Sequence, residues 1–141
     1  MVTREQALDV LNKLKQNKPT KFFNKIDESS AGMSFILVYL SEHDCEVYAS
    51  TIAEKMNISR ARVAVLIQKL INKGMIQKSS SSIDGRIEVL NITPLGLKEA
   101  NVFKEQVLSC VTTVIDKVGL EEIYKFIETS AKIKNILREL E

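Results

Sequence analysis

The stretch that most constrains this chain is Ala49 to Gly74, ASTIAEKMNISRARVAVLIQKLINKG. It holds two apolar-periodic runs parted by a short break. In the first, Ile52, Ala53 and Met56 form a one-sided stripe, and Ser50 is placed to cap the helix start by accepting a backbone N–H that the first turn leaves unpaired. Ala53 falls three residues on, where Glu or Gln would complete a capping box, so that further signal is missing. Asn57-Ile58 breaks the stripe, and Ser59 offers a second cap. In the second run Val63, Leu66, Ile67, Leu70 and Ile71 recur at i, i+3, i+4, i+7 and i+8, the spacing of one buried helix face. Gly74 supplies the left-handed residue expected just past a helix end. The opposite face carries Arg60, Arg62, Gln68, Lys69, Asn72 and Lys73. Two short helices, a tight turn and a basic outer face on the second helix describe a helix-turn-helix.

Charge supports the same stretch. Residues 47–98 hold eight Lys/Arg against three acids, a net of +5, whereas the rest holds twelve bases against fifteen acids, a net of −3. Positive charge concentrated on one motif is the footprint of a surface that meets a polyanion. A length of 141 residues suits one domain with a helical extension, and two prolines and five glycines favour a helix-rich chain with few long loops. The longest near-continuous apolar run, Ala31–Leu40, is about half the ~20 residues of a membrane span. No secretory pattern opens the chain, and Cys45 and Cys110 lie far apart with no CxxC pair. The expectation is a soluble, cytoplasmic chain with reduced thiols and no membrane contact.

Taken in order, Thr3 to Gln16 predicts a first helix, with Thr3-Arg4-Glu5-Gln6 as a capping box and Ala7, Leu8, Leu11 and Leu14 as its stripe. Thr20–Ile26 reads as a short helical continuation that buries Phe22, Phe23 and Ile26. Ser29-Ser30 caps a helix over about Ala31–Glu42 that is apolar nearly all round and therefore central to the core. Val47-Tyr48-Ala49 is a short extended segment. After Gly74, Met75–Lys78 and Ile87–Ile92 read as strands joined by an exposed loop over Ser79–Arg86, a β-hairpin. A hairpin directly after the second helix of a helix-turn-helix is a wing. Thr93-Pro94 restarts a helix, with Thr as cap and Pro at its first position. That helix runs to about Val118, and a last one spans Leu120 to about Leu140. Both are longer than a small winged helix needs, and a second copy of the chain is their natural partner. The fold class is mainly α with a small β-hairpin: a winged helix-turn-helix over 30–98, with helical dimerisation regions at 1–29 and 99–141.

This order of elements, with NISRARVAVLIQKLINKGMI, the wing tip SIDGR with its Asp84-x-Arg86, and NITPLG at 91–96, resembles the MarR family of bacterial transcriptional regulators. The resemblance covers nearly the whole chain. It implies a triangular homodimer in which the first and last helices form the dimer layer. It also implies two winged helices reading a pseudo-palindromic operator on double-stranded DNA, and a small-molecule effector bound in the cleft between the layers. The chain departs from the family at Arg62, Ala64 and Val65, where small hydroxyl residues and a basic residue are usual, so base preference does not carry over. The wing is also serine-rich rather than strongly basic.

The candidate DNA-contacting residues follow. Ser59, Arg60, Ala61 and Arg62 occupy the start of the second helix, and Arg there can bind guanine through two hydrogen bonds. Ala61, Ala64 and Val65 can touch thymine methyls or be surface filler. Gln68 and Lys69 extend the face, which is otherwise a solvated helix side. On the wing, Lys78, Ser80, Ser81 and Ser82 can donate to phosphates, which positions without specifying. Arg86 can enter a narrow minor groove, with Asp84 holding it or capping the turn. Alternatives are a winged-helix module for protein partners without operator binding, or a thiol- or metal-responsive regulator. The acids beside Cys45 would raise its pKa, against thiol sensing. His43, Asp44, Cys45 and Glu46 include ligand types, but four adjacent loop residues cannot all wrap one ion. No cofactor motif and no catalytic constellation is present, so the chain does not read as an enzyme.

Overall fold

The computed structural model describes residues 1–26 and 32–141. Its elements are α1 (Arg4–Gln16), α2 (Thr20–Ile26), α3 (Met33–Glu42), α4 (Ala49–Met56), α5 (Arg60–Asn72), β1 (Ile76–Ser80), β2 (Glu88–Ile92), α6 (Pro94–Val118) and α7 (Leu120–Glu139). The expected mainly helical class with one hairpin is what the chain adopts. The expected Ser29-Ser30 cap lies outside the described residues.

The core is built where the apolar periodicities converge. Ile36 and Val38 of α3, Ile52 of α4, Val63 and Leu70 of α5 and Ile76 of β1 are fully enclosed. Leu90 of β2 and Ala100 of α6 close the same cluster. The apolar α3 is thus the central helix and packs along α6. None of α1, α2 or α7 buries a residue within the single chain. Phe23, expected to be buried, is half exposed, because its ring lies against Phe126 of α7, centroids 6.2 Å apart, and not in the core. No described helix is long and apolar enough to cross a membrane.

Local chemistry sets the boundaries. Thr3 and Gln6 form the expected reciprocal capping box on α1. Asn57 ends α4 at φ +53, a left-handed conformation that Asn tolerates better than most residues. Gly74, at φ +71, follows α5 as expected. The cap of α4 differs from expectation. The helix starts at Ala49 with Tyr48 as an N-cap that makes no side-chain cap bond, so Ser50 lies inside the first turn. The physical reason is Val47, whose carbonyl accepts from the Leu90 N–H at 2.9 Å. With Val47 held extended beside β2, the helix begins as soon as that pairing ends. The strands also shift. Antiparallel pairing runs from Ile76↔Ile92 to Ser80↔Glu88, so the ladder carries β1 into the serines. Ile87 is excluded from β2 because its N–H donates to the Asp84 carbonyl at 3.0 Å inside the turn.

The junction between wing and α6 explains the Thr-Pro-x-Gly motif. Thr93 Oγ1 accepts from Gly96 N at 3.1 Å and donates to the Gly74 carbonyl at 2.6 Å. Thr93 N donates to the Met75 carbonyl at 3.0 Å. Gly96 is buried, and a Cβ on it would collide with the Met75 carbonyl oxygen and the Ile92 side chain. One threonine and one glycine therefore lock the start of α6 against the residues that follow α5.

Candidate nucleic-acid interface

The second helix of the motif, α5, is set by its cap. Ser59 has extended backbone, and its hydroxyl accepts from Arg62 N at 3.2 Å. This fixes a first turn from which Arg60, Ala61 and Arg62 project, all exposed. Ala64, Val65, Gln68 and Lys69 continue the exposed face, while Val63, Ile67 and Leu70 on the other side are buried. Val65 is 55% exposed, an apolar side chain in the middle of a polar face. Arg60 and Arg62 make no ion pair among the described residues. An unpaired guanidinium keeps all its donors available for an incoming anion or base edge. Gln68 donates from Nε2 to Asn72 Oδ1 at 2.9 Å, which leaves its carbonyl oxygen directed elsewhere.

The wing presents a second cation. Asp84 Oδ1 accepts from Arg86 N and Arg86 Nε, both at 3.1 Å, and Oδ2 accepts from Nη2 at 3.1 Å. A carboxylate held this way lies below its ordinary pKa, first because of the guanidinium hydrogen bonds and then the backbone N–H. The Arg86 side chain is still 91% exposed, so Asp84 orients the guanidinium without covering it. Lys78 pairs with Glu88 at 3.3 Å, an exposed pair of little strength that a phosphate can displace. Ser80 is exposed.

Ser81 and Ser82 are arranged differently from the expectation that they face phosphate. Ser81 is buried, and its hydroxyl donates to Glu46 Oε2 at 2.6 Å. Ser82 donates twice to Glu46 Oε1, from its backbone N at 2.6 Å and from its hydroxyl at 2.7 Å. Tyr48 OH adds a bond to Oε2 at 2.9 Å. The Ser81 hydroxyl, the Ser82 N–H and the Ser82 hydroxyl, in that order, draw the Glu46 pKa from the usual 4.5 down to about 2. The Tyr48 phenol is pushed up by its bond to the same carboxylate. Sequence reasoning treated Glu46 only as an acid beside Cys45 and as a ligand type. The one signal for its role was the short extended segment Val47-Tyr48, which has to pair with something near the serine-rich loop.

Cys45 is exposed and Cys110 half-buried, both as free thiols. No group of three or more His, Cys, Asp or Glu side chains is placed to hold a metal ion among the described residues. An open groove of about 1120 Å³ runs along α6, lined by Leu97, Val102, Cys110 and Val114 together with Lys25 and Lys98. A smaller cleft of about 210 Å³ lies where α3, α5 and α6 meet, lined by Met33, Leu37, Leu70, Lys73 and Phe103 among others.

The family model described as the MarR family matches residues 33–87, from α3 through the wing tip. Among curated sequences, a protein described as an uncharacterized HTH-type transcriptional regulator, YdgJ of Bacillus subtilis (strain 168), is 26% identical over 105 residues. The match covers 74% of this chain and 64% of that protein, so the chain spans less than two thirds of its relative's length. Among solved structures, the Staphylococcus aureus MepR–DNA complex superposes with a TM-score of 0.65 at 17% identity, covering 96% of this chain and 98% of that one. The heme sensor protein PefR of Streptococcus agalactiae, in complex with heme, gives 0.57 at 20% identity, covering 94% and 92%. At these identities the structural likeness is one of fold.

Proposed function

We propose that this chain, whose residues 33–87 match the MarR family model, is a sequence-specific DNA-binding transcriptional regulator, a repressor that binds a pseudo-palindromic operator as a homodimer. The observation that carries this reading is the outer face of α5, where Arg60 and Arg62 stand exposed and unpaired beside a wing that presents Arg86. In this reading α5 lies in the major groove with Arg62 and Gln68 toward base edges, while Ala61, Ala64 and Val65 meet thymine methyls. Lys69, Lys78 and Ser80 meet phosphates, and Arg86 enters the minor groove alongside. Ser59 contributes as the cap that aims the first turn. The winged helix at 30–98 reads DNA, and the regions at 1–29 and 99–141 join the two copies.

A small effector would act through the cleft between these layers. The solved MepR structure holds DNA and the PefR structure holds heme, so this fold accommodates both kinds of partner. A ligand seated between α3, α5 and α6 bears on both the core of the winged helix and the helix that links the layers. It would shift the dimer toward whichever separation of the two α5 helices it binds better. A regulator of this kind would work in the cytoplasm, where the DNA is.

Binding of the protein to DNA from upstream of its own gene, followed by fluorescence anisotropy at about 50 and about 200 mM salt, tests the reading. We expect steep salt dependence, and weaker binding with a flatter salt slope for Arg62→Ala combined with Arg86→Ala. Absence of any salt-sensitive binding by the unmodified protein, to that DNA or to unrelated duplex, would sink the proposal. It would instead favour a winged-helix module for protein partners, the reading to which the exposed Val65 lends itself.

A further inference from the structure

We propose that Glu46 is a positioning residue for DNA binding: it sets the wing so that Arg86 is presented to the same duplex as the outer face of α5. This rests on the DNA-binding reading above. Both carboxylate oxygens are saturated. Oε1 takes the backbone N–H and the hydroxyl of Ser82, and Oε2 takes the hydroxyls of Ser81 and Tyr48. A carboxylate is an acceptor only, so it matches four converging donors as no neutral side chain does. The bonds to the wing cross 35 and 36 residues of sequence, so they fix tertiary placement and not local turn shape.

The link continues to the wing tip. Ser81 Oγ, while donating to Glu46, accepts from the N–H groups of Ile83 at 3.1 Å and Asp84 at 3.4 Å. Asp84 in turn holds the Arg86 guanidinium through both its oxygens. Glu46, Ser81, Asp84 and Arg86 thus form one hydrogen-bonded chain. At its other end Glu46 precedes Val47, which pairs with β2, and Tyr48, which opens α4. One short segment therefore ties the helix-turn-helix to the wing. Without the carboxylate, the buried Ser81 hydroxyl and the Ser82 N–H lose their acceptor, and the segment between β1 and β2 keeps its own turn bonds but no tie to the stretch before α4.

The test compares the unmodified protein with Glu46→Ala, Arg86→Ala and the double variant, using the upstream DNA, hydroxyl-radical footprinting and amide exchange without DNA. Glu46→Ala should weaken binding about tenfold, the loss of one good contact, and erase protection at the outer minor grooves while keeping the major-groove protection of α5. Added to Arg86→Ala, it should cost less than about twofold, because both remove the same interaction. Amides of Ser82, Ile83 and Asp84 should exchange faster while those of α5 keep their protection. Binding and footprint like the unmodified protein, a penalty that adds in full to that of Arg86→Ala, or loss of protection in α5 as well would overturn the proposal. If Glu46→Ala does not fold, Glu46→Gln is used; it should show the same non-additivity, smaller in size, and full additivity overturns the proposal there too. An unmodified protein that binds no DNA fails the function reading itself, whereas unmodified binding that Glu46→Ala leaves intact fails this proposal alone.

Discussion

Gly96 is the one glycine of the chain with no room for a Cβ. It sits in the first turn of α6, buried, with the Met75 carbonyl oxygen and the Ile92 side chain occupying the space a Cβ would need. The obstacle on one side is backbone, so it cannot swing away as a flexible side chain would. Gly96→Ala should therefore destabilise the fold by about 1–3 kcal/mol, the usual cost of forcing extra volume into a packed site, although Ala is the better helix former. A thermal melt checks this; an unchanged or raised midpoint would mean that the junction between wing and α6 yields. At this scale the sequence is legible for helix caps and a turn whose partners lie within three residues. Ser59 capping Arg62, Thr93 capping Gly96, the Thr3–Gln6 box and Asp84 gripping Arg86 are all such pairs. Glu46 is not legible, because its wing partners lie some 35 residues away and a lone acid in a polar loop carries no local signature of them. The bonds of Ser81 and Ser82 to Glu46 are hidden for the same reason: a serine-rich tip looks wholly solvent-facing until the acceptor that folds under it is known.

The wing is the element whose stability is tied to pH. Its anchor, Glu46, has a carboxyl drawn from the usual 4.5 to about 2 by hydrogen bonds from Ser81 and Ser82. Asp84 at the tip is shifted in the same direction by Arg86. A folded-state pKa below the unfolded one means that the unfolded chain takes up protons first. The stabilisation is complete above about pH 4.5 and is lost as the pH falls toward 2. Acid should thus release the wing while the apolar core around Ile36, Ile52 and Leu70 still holds. Protection of the Ser82 and Ile83 amides, measured against their intrinsic exchange rates from neutral pH downward, should fall in that window ahead of that of amides in α5. In Glu46→Gln the protection should already be reduced at neutral pH and nearly flat across the window. Equal acid sensitivity in both proteins would detach the effect from Glu46. The elements themselves were largely readable, since the 3.6-residue periodicity of α5 and the Gly74 and Pro94 punctuation are local. Their ends were less so. The start of α4 and both strand ends are decided by cross-chain pairing of Val47 with Leu90 and of Ser80 with Glu88, which periodicity does not encode.

At the scale of the whole molecule, α1 and α7 keep apolar faces uncovered within the single chain. The stripe predicted on α1 is exposed, with Leu14 at 66%, and α7 exposes Ile133, Ile136 and Leu137 at more than half. Large apolar side chains left exposed along a helix face suit an interface, and in the proposed homodimer both ends of the chain would supply it. A second copy covering both helices would bury surface on the scale of obligate dimers, whose folding and association are inseparable. Sedimentation should therefore give twice the 15.9 kDa chain mass at micromolar concentration. Leu14→Glu combined with Ile136→Glu should yield a monomer or an unfolded chain, and tight operator binding should vanish with the dimer. The same geometry constrains the DNA. Two α5 helices fixed by one dimer layer must meet half-sites about one helical turn, ~34–36 Å, apart. Inserting about five base pairs between the half-sites turns the second one to the far side of the duplex. Binding should then fall to the level of a single half-site, and inserting about ten should restore part of it only if the layer flexes. An operator that tolerates the half-turn insertion would mean that the two winged helices move independently, and that α1 and α7 do not set their spacing.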